Sequence, residues 1–419
     1  MNVNELLSGM PSSQNSIVQA AAAVVGTGPA GIAAALCLAC IGAEVALIGP
    51  APAKPQTAPG DTRTAALLTS SVDLLKRLGV WEGVAAEAAP LEAIRIIDDS
   101  KSLLRAPEIE FAAKELGLDA FGYNIANTAL VAALYEKAAT TVKAVFAANV
   151  EHITIGADHA DLRCSGGAGA WACLVVGADG RRSVCRAAAS IEASEWRYDQ
   201  GAIATSFSHT LPHRNISTEL HREAGSVTTV PLPDPLASSL IWVGSAAEIE
   251  HLMQADEASF ATALGQRLGG ILGGIGTTGA RASFPVAGLS AKSLVGKRTA
   301  LVGEAAHILP PIGAQGLNLG LRDAAALADC VADAQLRGAD PGGDATLSAY
   351  AKARELDVMS RTVGVDLLNR SLLTGFMPLQ AARGLVLHGL NALPPLRRLV
   401  MRVGLTPPTA LPSLMRGAG

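Results

Sequence analysis

The sequence predicts an α/β fold: a Rossmann-like nucleotide-binding domain, discontinuous along the chain, with an inserted antiparallel β-sheet domain and a helical C-terminal tail. Three observations predict it. A glycine-rich turn, Gly26-x-Gly28-x-x-Gly31, joins an apolar run to an alanine-rich helix near the N-terminus. Short strands of alternating polarity gather in two separated stretches, residues 91–111 and 191–289. Beyond residue 345 the pattern turns helical, and from Leu367 onward it contains no acid. The expected boundaries are 15–90, 112–190 and 290–345 for the nucleotide domain, 91–111 and 191–289 for the inserted sheet, and 346–419 for the tail.

With 419 residues, 49% apolar and 17% charged, the chain suffices for two or three globular domains. A net charge of −4 gives no reason to expect a nucleic-acid partner. Residues 6–43 carry no charged side chain, and hydropathy alone would read Ile17–Ala43 as a membrane span. The interruption by Gly26, Gly28, Pro29 and Gly31 argues against it. The first basic side chain, Lys54, also comes too late for a secretory signal. Six cysteines are few for this length and fit reduced thiols in a cytoplasmic protein. Cys37 and Cys40 lie within the alanine-rich helix, where both are expected to be core residues.

Taken in order, the first strand ends at Gly26, which makes the tight turn. Gly28 lets a pyrophosphate approach the backbone, and Gly31 lets the helix pack close to the strand. The loop from Gly26 through Pro29 and Ala30 to Gly31 is therefore a candidate nucleotide site, with unpaired N–H groups facing the anion. Gly42 closes the helix before a second strand, Val45–Ile48. An acid for the ribose is common after that strand, but here the chain reads Ile48-Gly49-Pro50.

The leucines of "DTRTAALLTSSVDLLKRLGV" follow helical spacing, with Gly79 as the stop. Arg63 falls at the positive end of that expected helix, so it needs an anion: Asp61 or a cofactor group such as a phosphate. Asn127 reads as the N-cap of a helix over 128–138. Strands are expected around Val150–Ile155 and Asp161–Cys164. The strand of "CLVVGADGRRSVCR" ends in Asp179-Gly180, good turn chemistry that would also suit a cofactor's polar flank. A helix is expected near Glu257–Leu268. Residues 301–325, "LVGEAAHILPPIGAQGLNLGLRDAA", form a strand, a turn and a helix start with few side chains to block approach.

Gly26-x-Gly28-x-x-Gly31, Asp61-x-Arg63, Asp179-Gly180 and "VGEAAHILPPIGAQGLNLGLRDAA" occur in this order along most of the chain. That arrangement resembles the class A flavin monooxygenases, which share the para-hydroxybenzoate hydroxylase fold. The stretches "DTRTAALL", "YDQGAIA" and "ELHREAGSVTTVPLPD" look most like the ubiquinone-biosynthesis branch. The resemblance implies FAD as cofactor, with NAD(P)H or another electron donor and dioxygen as co-substrates. A flavin hydroperoxide would then transfer oxygen to the ring of a polyprenyl phenol. It also implies roles: Gly303-Glu304 at the ribityl chain, Pro311, Gly313 and Gly316 along the ring, and the N–H groups of Leu317 and Asn318 at the pyrimidine edge. That edge turns negative on reduction, so a helix start suits it. The family usually has Gly-Asp where this chain has Gly303-Glu304. His307 is expected to be structural. The cofactor carries the chemistry, no metal-ligand cluster stands at useful spacing, and no residue is singled out as catalytic.

The segment 367–419 holds six arginines (Arg370, Arg383, Arg397, Arg398, Arg402 and Arg416), so it carries +6 against −10 for the rest. A basic, apolar, helical tail suits peripheral contact with the inner face of a membrane or with a biosynthetic complex. It equally suits a helix packed on its own protein. Contact with membrane would make a lipid-like phenol the natural substrate. Two other readings stay open: a hydroxylase of a small soluble phenol, and a flavin-binding scaffold subunit, suggested by Gly49 and Glu304.

Overall fold

The computed structural model describes residues 17–52, 62–98, 108–222, 225–311, 314–373, 388–390, 392–407 and 409–417. Asp61 and Gly313 of the expected site lie outside them.

The first sheet has eight strands among the described residues. Its centre runs Thr299–Leu301, Gly169–Gly177, Ile17–Val25, Val45–Ile48 and Ala144–Phe146, all parallel. Both faces are covered, which explains the unbroken apolar run. Ala22, Val24, Val45 and Leu47 face helices α1 (Pro29–Cys40), α2 (Thr69–Arg77) and α3 (Asn127–Thr141). Ala23, Val25, Ala46 and Ile48 face the other way, onto an antiparallel extension, Val150–Ile155 and Ala160–Cys164. The charge-free stretch after residue 16 is thus a buried strand plus a buried helix. No helix among the described residues is long and apolar enough to cross a membrane.

The second sheet has nine strands among the described residues. Its order is His307–Ile308, Ala282–Ala291, Ala193–His209, Ala237–Ser245, Gly225–Pro231, Ile216–Arg222, Ala93–Asp98 and Ile109–Ala112, with Ile275–Thr278 on Ala193–His209. It departs from the expected antiparallel pattern at one place. Ala93–Asp98 and Ile216–Arg222 pair in parallel, because the chain leaves the sheet and returns to it from far along the sequence. Its back packs on α5 (Ala246–Gln254) and α6 (Glu257–Leu268); a short α4 spans Val184–Ala188. Its front faces the nucleotide domain. There Thr64 Oγ1 meets Ser239 Oγ at 2.9 Å, and Asn124 Nδ2 donates to the carbonyl of Pro231 at 2.8 Å.

Three local expectations change. Thr64–Leu68 is a strand paired with Gly122–Ala126, and helix α2 starts at Thr69. Arg63 therefore precedes a strand, not a helix. Asn127 is the first helical residue, its N–H donating to the carbonyl of Arg63 at 3.0 Å, and no side chain caps α3. Cys37 is buried as expected, whereas Cys40 is exposed at the end of α1.

α7 (Gln315–Leu336) follows in the nucleotide domain, and the tail holds α8 (Asp344–Leu373) and α9 (Pro394–Leu405). α9 sets Met401 and Leu405 with Ile94, Ile96, Ile109 and Phe111 at the outer strands of the second sheet. Arg397 fixes it there through two hydrogen bonds to Glu115 Oε2, at 2.9 and 2.8 Å.

Candidate functional site

Two of the helices that begin without a side-chain cap, α1 and α7, start beside glycines. At α1, Gly26 has φ +122°, and an added Cβ would lie 2.1 Å from the carbonyl oxygen of Ala178. At Gly31 it would lie 2.2 Å from the carbonyl oxygen of Gly26, so helix and strand touch. Above Gly28 nothing stands within 4 Å, and no acid occupies the first turn. The amide N–H groups of Ala30 and Gly31 are thus presented to open space, as an anion requires. Thr27 packs against the end of the second strand. Its Oγ1 donates to the carbonyl of Pro50 at 2.6 Å, and a Cβ on Gly49 would collide with its side chain at 2.9 Å.

The second bare start is α7, entered through Ala314 at φ +54° with no acid in the first turn. Gly316 has open space around it. Asn318 is fully buried and its side chain is spent on the fold. Its Oδ1 accepts from Leu68 N–H (2.9 Å) and Ser71 Oγ (2.7 Å), and its Nδ2 donates to Ala66 and Ala314. That leaves its backbone, not its amide side chain, to meet a ligand. Gly303 (φ +61°) and Gly320 both press on Ala30, where an added Cβ would come within 3.1 Å, so the two helix starts are locked together. Glu304 is exposed beside them.

Beneath this turn lies a buried chain of charges. Asp323 accepts from Gly303 N–H at 3.1 Å, His307 Nε2 at 2.6 Å and Arg354 Nε at 2.8 Å. Arg354 continues to Asp357, which also binds Arg322 at 2.8 Å. Burial alone would raise the Asp323 carboxyl; the His307 and Arg354 charges outweigh it and hold it at about 2. His307 is structural, as its sequence context suggested.

Asp179 Oδ2 accepts from Cys185 N–H at 3.1 Å, while its buried Oδ1 has no partner among the described residues. Arg186 joins this turn to the Glu304 turn, donating to the carbonyls of Ala305 (2.9 Å) and Arg181 (2.7 Å). Arg63 is exposed next to Thr62, whose hydroxyl donates to the carbonyl of Ala204 in the second sheet.

Across from these turns, the sheet's front face bears an apolar cluster of Ala202, Val243 and Val286 with Ile241, Tyr198 and Phe284. Tyr198 donates to Asp366 of α8, and Trp196 Nε1 donates to Tyr198 at 2.8 Å. Register continues the row from Val243 through Ser226 to His221. His221 Nε2 meets Glu219 Oε1 at 2.8 Å, their side chains 6% and 14% exposed. Burial raises the Glu219 carboxyl, but His221 overrides this and leaves it below the ordinary carboxylate range. No motif in the sequence marks this pair. Its trace was an acid and a histidine two apart in a strand, hence on one face.

Residues 19–363 match the family described as "FAD binding domain". The chain belongs to that family. It is 32% identical over 382 residues to a ubiquinone hydroxylase, UbiL, of Rhodospirillum rubrum, covering 90% of this chain and 88% of the relative. It is 31% identical over 389 residues to the 3-demethoxyubiquinol 3-hydroxylase of Escherichia coli, covering 91% and 97%. Among solved structures, p-nitrophenol 4-monooxygenase PnpA of Pseudomonas putida shares the fold, with TM-score 0.75, 20% identity and coverage of 94% and 100%.

The residues of this FAD-binding chain fit the cofactor. Open space over Gly28 suits a pyrophosphate, the buried Asp179 Oδ1 lacks a donor that a polyol could supply, and Gly316 leaves the α7 start bare. Gly26, Gly28, Ala30, Gly303 and Glu304 come together around the two helix starts. Thr27 and Arg186, which complete the surroundings, carried no motif in the sequence.

Proposed function

We propose that this chain is an FAD-dependent monooxygenase that hydroxylates the aromatic ring of a polyprenyl phenol in ubiquinone biosynthesis. The observation that carries this reading is the match over nine-tenths of the chain to two hydroxylases named for that ring. Residues 15–90, 112–190 and 290–345 hold the cofactor, 91–111 and 191–289 hold the substrate, and 346–419 form the tail. A lipid-like phenol also accounts for the proposed peripheral contact of that tail with the inner face of a membrane.

When bound, FAD supplies the redox chemistry, with electrons from NAD(P)H or another donor and with dioxygen. The protein's part is to bind, orient and exclude water. Gly28 with the N–H groups of Ala30 and Gly31 would take the pyrophosphate, with Gly26 and Pro29 shaping the loop. Asp179 and Glu304 would take ribityl hydroxyls and Arg63 an anionic edge. Pro311, Gly313 and Gly316 would leave the ring uncovered, and the backbone N–H groups of Leu317 and Asn318 would face its pyrimidine edge. Glu219 holds the Nε2–H of His221, which leaves Nδ1 free to accept the phenol proton and enrich the ring.

Cells lacking the gene test the reading by mass spectrometry of their quinone-pathway lipids. A prenylated phenol short of one hydroxyl, cleared by restoring the gene, is the expected result. An unchanged quinone pool without a redundant hydroxylase would overturn it in favour of a small soluble phenol. Protein that stays colourless after incubation with FAD would point instead to a scaffold subunit.

A further inference from the structure

An ordinary surface helix buries its apolar stripe and exposes its arginines. Helix α9 exposes an apolar stripe as well. Leu396, Leu399, Val400 and Val403, at i, i+3, i+4 and i+7, are 40%, 56%, 43% and 62% exposed. The opposite side holds the protein contacts: the Arg397–Glu115 pair, buried Met401 and Leu405. The helix is also clamped at its C-terminal end. Arg361 of α8 donates to the carbonyls of Val403 (3.0 Å), Gly404 (3.2 Å) and Thr406 (2.8 Å). The apolar stripe is therefore held outward by contacts at three points, not left loose.

Its chemistry selects one kind of surface. Arg398 and Arg402 stay exposed on the same helix, and no acid occurs anywhere from Leu367 to the end of the chain. An apolar stripe on a helix whose charges are all positive matches the boundary between anionic headgroups and acyl chains. A protein partner of mixed charge would leave these arginines without reason.

We propose that the outward face of α9 docks on an anionic lipid bilayer, with Leu396, Leu399, Val400 and Val403 inserted and Arg398 and Arg402 on the headgroups. This deepens the lipid-phenol reading and rests on it. The inner face of the same helix packs on Ile94, Ile96, Ile109 and Phe111 of the substrate sheet. A docked α9 thus stands between the bilayer that carries the substrate and the sheet that receives it.

The test is flotation of the full-length, FAD-loaded protein with phosphatidylcholine vesicles, with and without phosphatidylglycerol. The wild type should float with the anionic vesicles, less so in high salt, and stay behind with the neutral ones. The double variant L399S/V403S, altered at two exposed positions, should keep its flavin absorbance and partition about tenfold or more weakly. A wild type that does not float with anionic vesicles overturns the proposal, as does a double variant that floats equally well. A concentration-dependent dimer that the double variant abolishes would overturn it too, assigning the stripe to a second copy of the chain. Flotation needs no turnover. Failure to float with a normal hydroxyl-deficient lipid profile in deleted cells sinks the docking alone, and the converse sinks the substrate reading alone.

Discussion

At the scale of single residues, two buried pairs carry separate predictions. Asp323 is held at about 2 by His307 and Arg354, below its value in an unfolded chain. A depressed carboxyl adds stability that is complete above the unfolded pKa and is lost as pH falls through the folded one. Acid should therefore loosen the Gly303 turn between about pH 4 and pH 2, read as release of FAD fluorescence. Replacing Asp323 by Asn leaves Arg354 short of a counter-charge and should cost about 3–5 kcal/mol in denaturant unfolding. His221 is the other case. Its proposed role is toward the substrate's phenol and not toward the cofactor. The His221→Gln variant should lose about 100-fold or more in kcat/KM, with FAD still bound. Loss of a merely structural histidine would lower stability and leave turnover per folded, flavin-loaded enzyme near that of the wild type, and hydroxylation rates of a short-chain prenyl phenol normalised to flavin absorbance decide between them.

At the scale of elements, the legible parts of the sequence were those with local causes. The strand, glycine turn and helix of residues 17–40 are legible because Gly26 and Gly31 answer contacts a few residues away or one strand over, while Gly28 keeps the space above it open. Glu257–Leu268 could be read because Asp256 caps it by accepting from Ser259 N–H at 2.7 Å. The spacing of Leu67, Leu68, Leu74 and Leu75 predicts helix from residue 64 on; what makes 64–68 a strand is distant. Gly122–Ala126 pairs with them, and Asn318, 250 positions from Leu68, accepts the Leu68 N–H. The outward stripe of α9 was likewise hidden, since its spacing tells which residues share a face but not which face meets solvent. α9 gives a prediction at this scale. Met401 is its main buried anchor, so Met401→Ala should weaken the helix by about 2–3 kcal/mol. Amide hydrogen exchange in residues 394–405 should then quicken by about 30-fold or more while the strands of the first sheet stay protected. Equal exchange in both proteins would mean that Arg397 and Arg361 hold α9 unaided.

At the scale of the molecule, the proposed cofactor site is where the two sheets become one body. α1 begins on the first sheet, and its Ala30 bears on Gly303 and Gly320. Four residues beyond Gly303, His307 and Ile308 pair with Ser290 and Leu289 of the second sheet. Arg186 ties the Asp179 turn to Ala305 between them. A ligand that braces Gly28, Asp179 and Glu304 together must therefore restrain both sheets, although it touches mainly the first. Binding to the native state alone stabilises it by RT ln(1 + [L]/Kd), about 2.7 kcal/mol at a hundredfold excess over Kd. Removing FAD should lower the melting temperature accordingly and return it on titration. The mechanical coupling makes a sharper claim: FAD should also slow exchange in the far strand, Ala282–Ala291, and the Arg186→Ala variant should reduce that remote protection while leaving protection at residues 26–32. Protection confined to the first sheet would show instead that the domains answer the cofactor separately, and that the strand His307–Ile308 is a tether without stiffness.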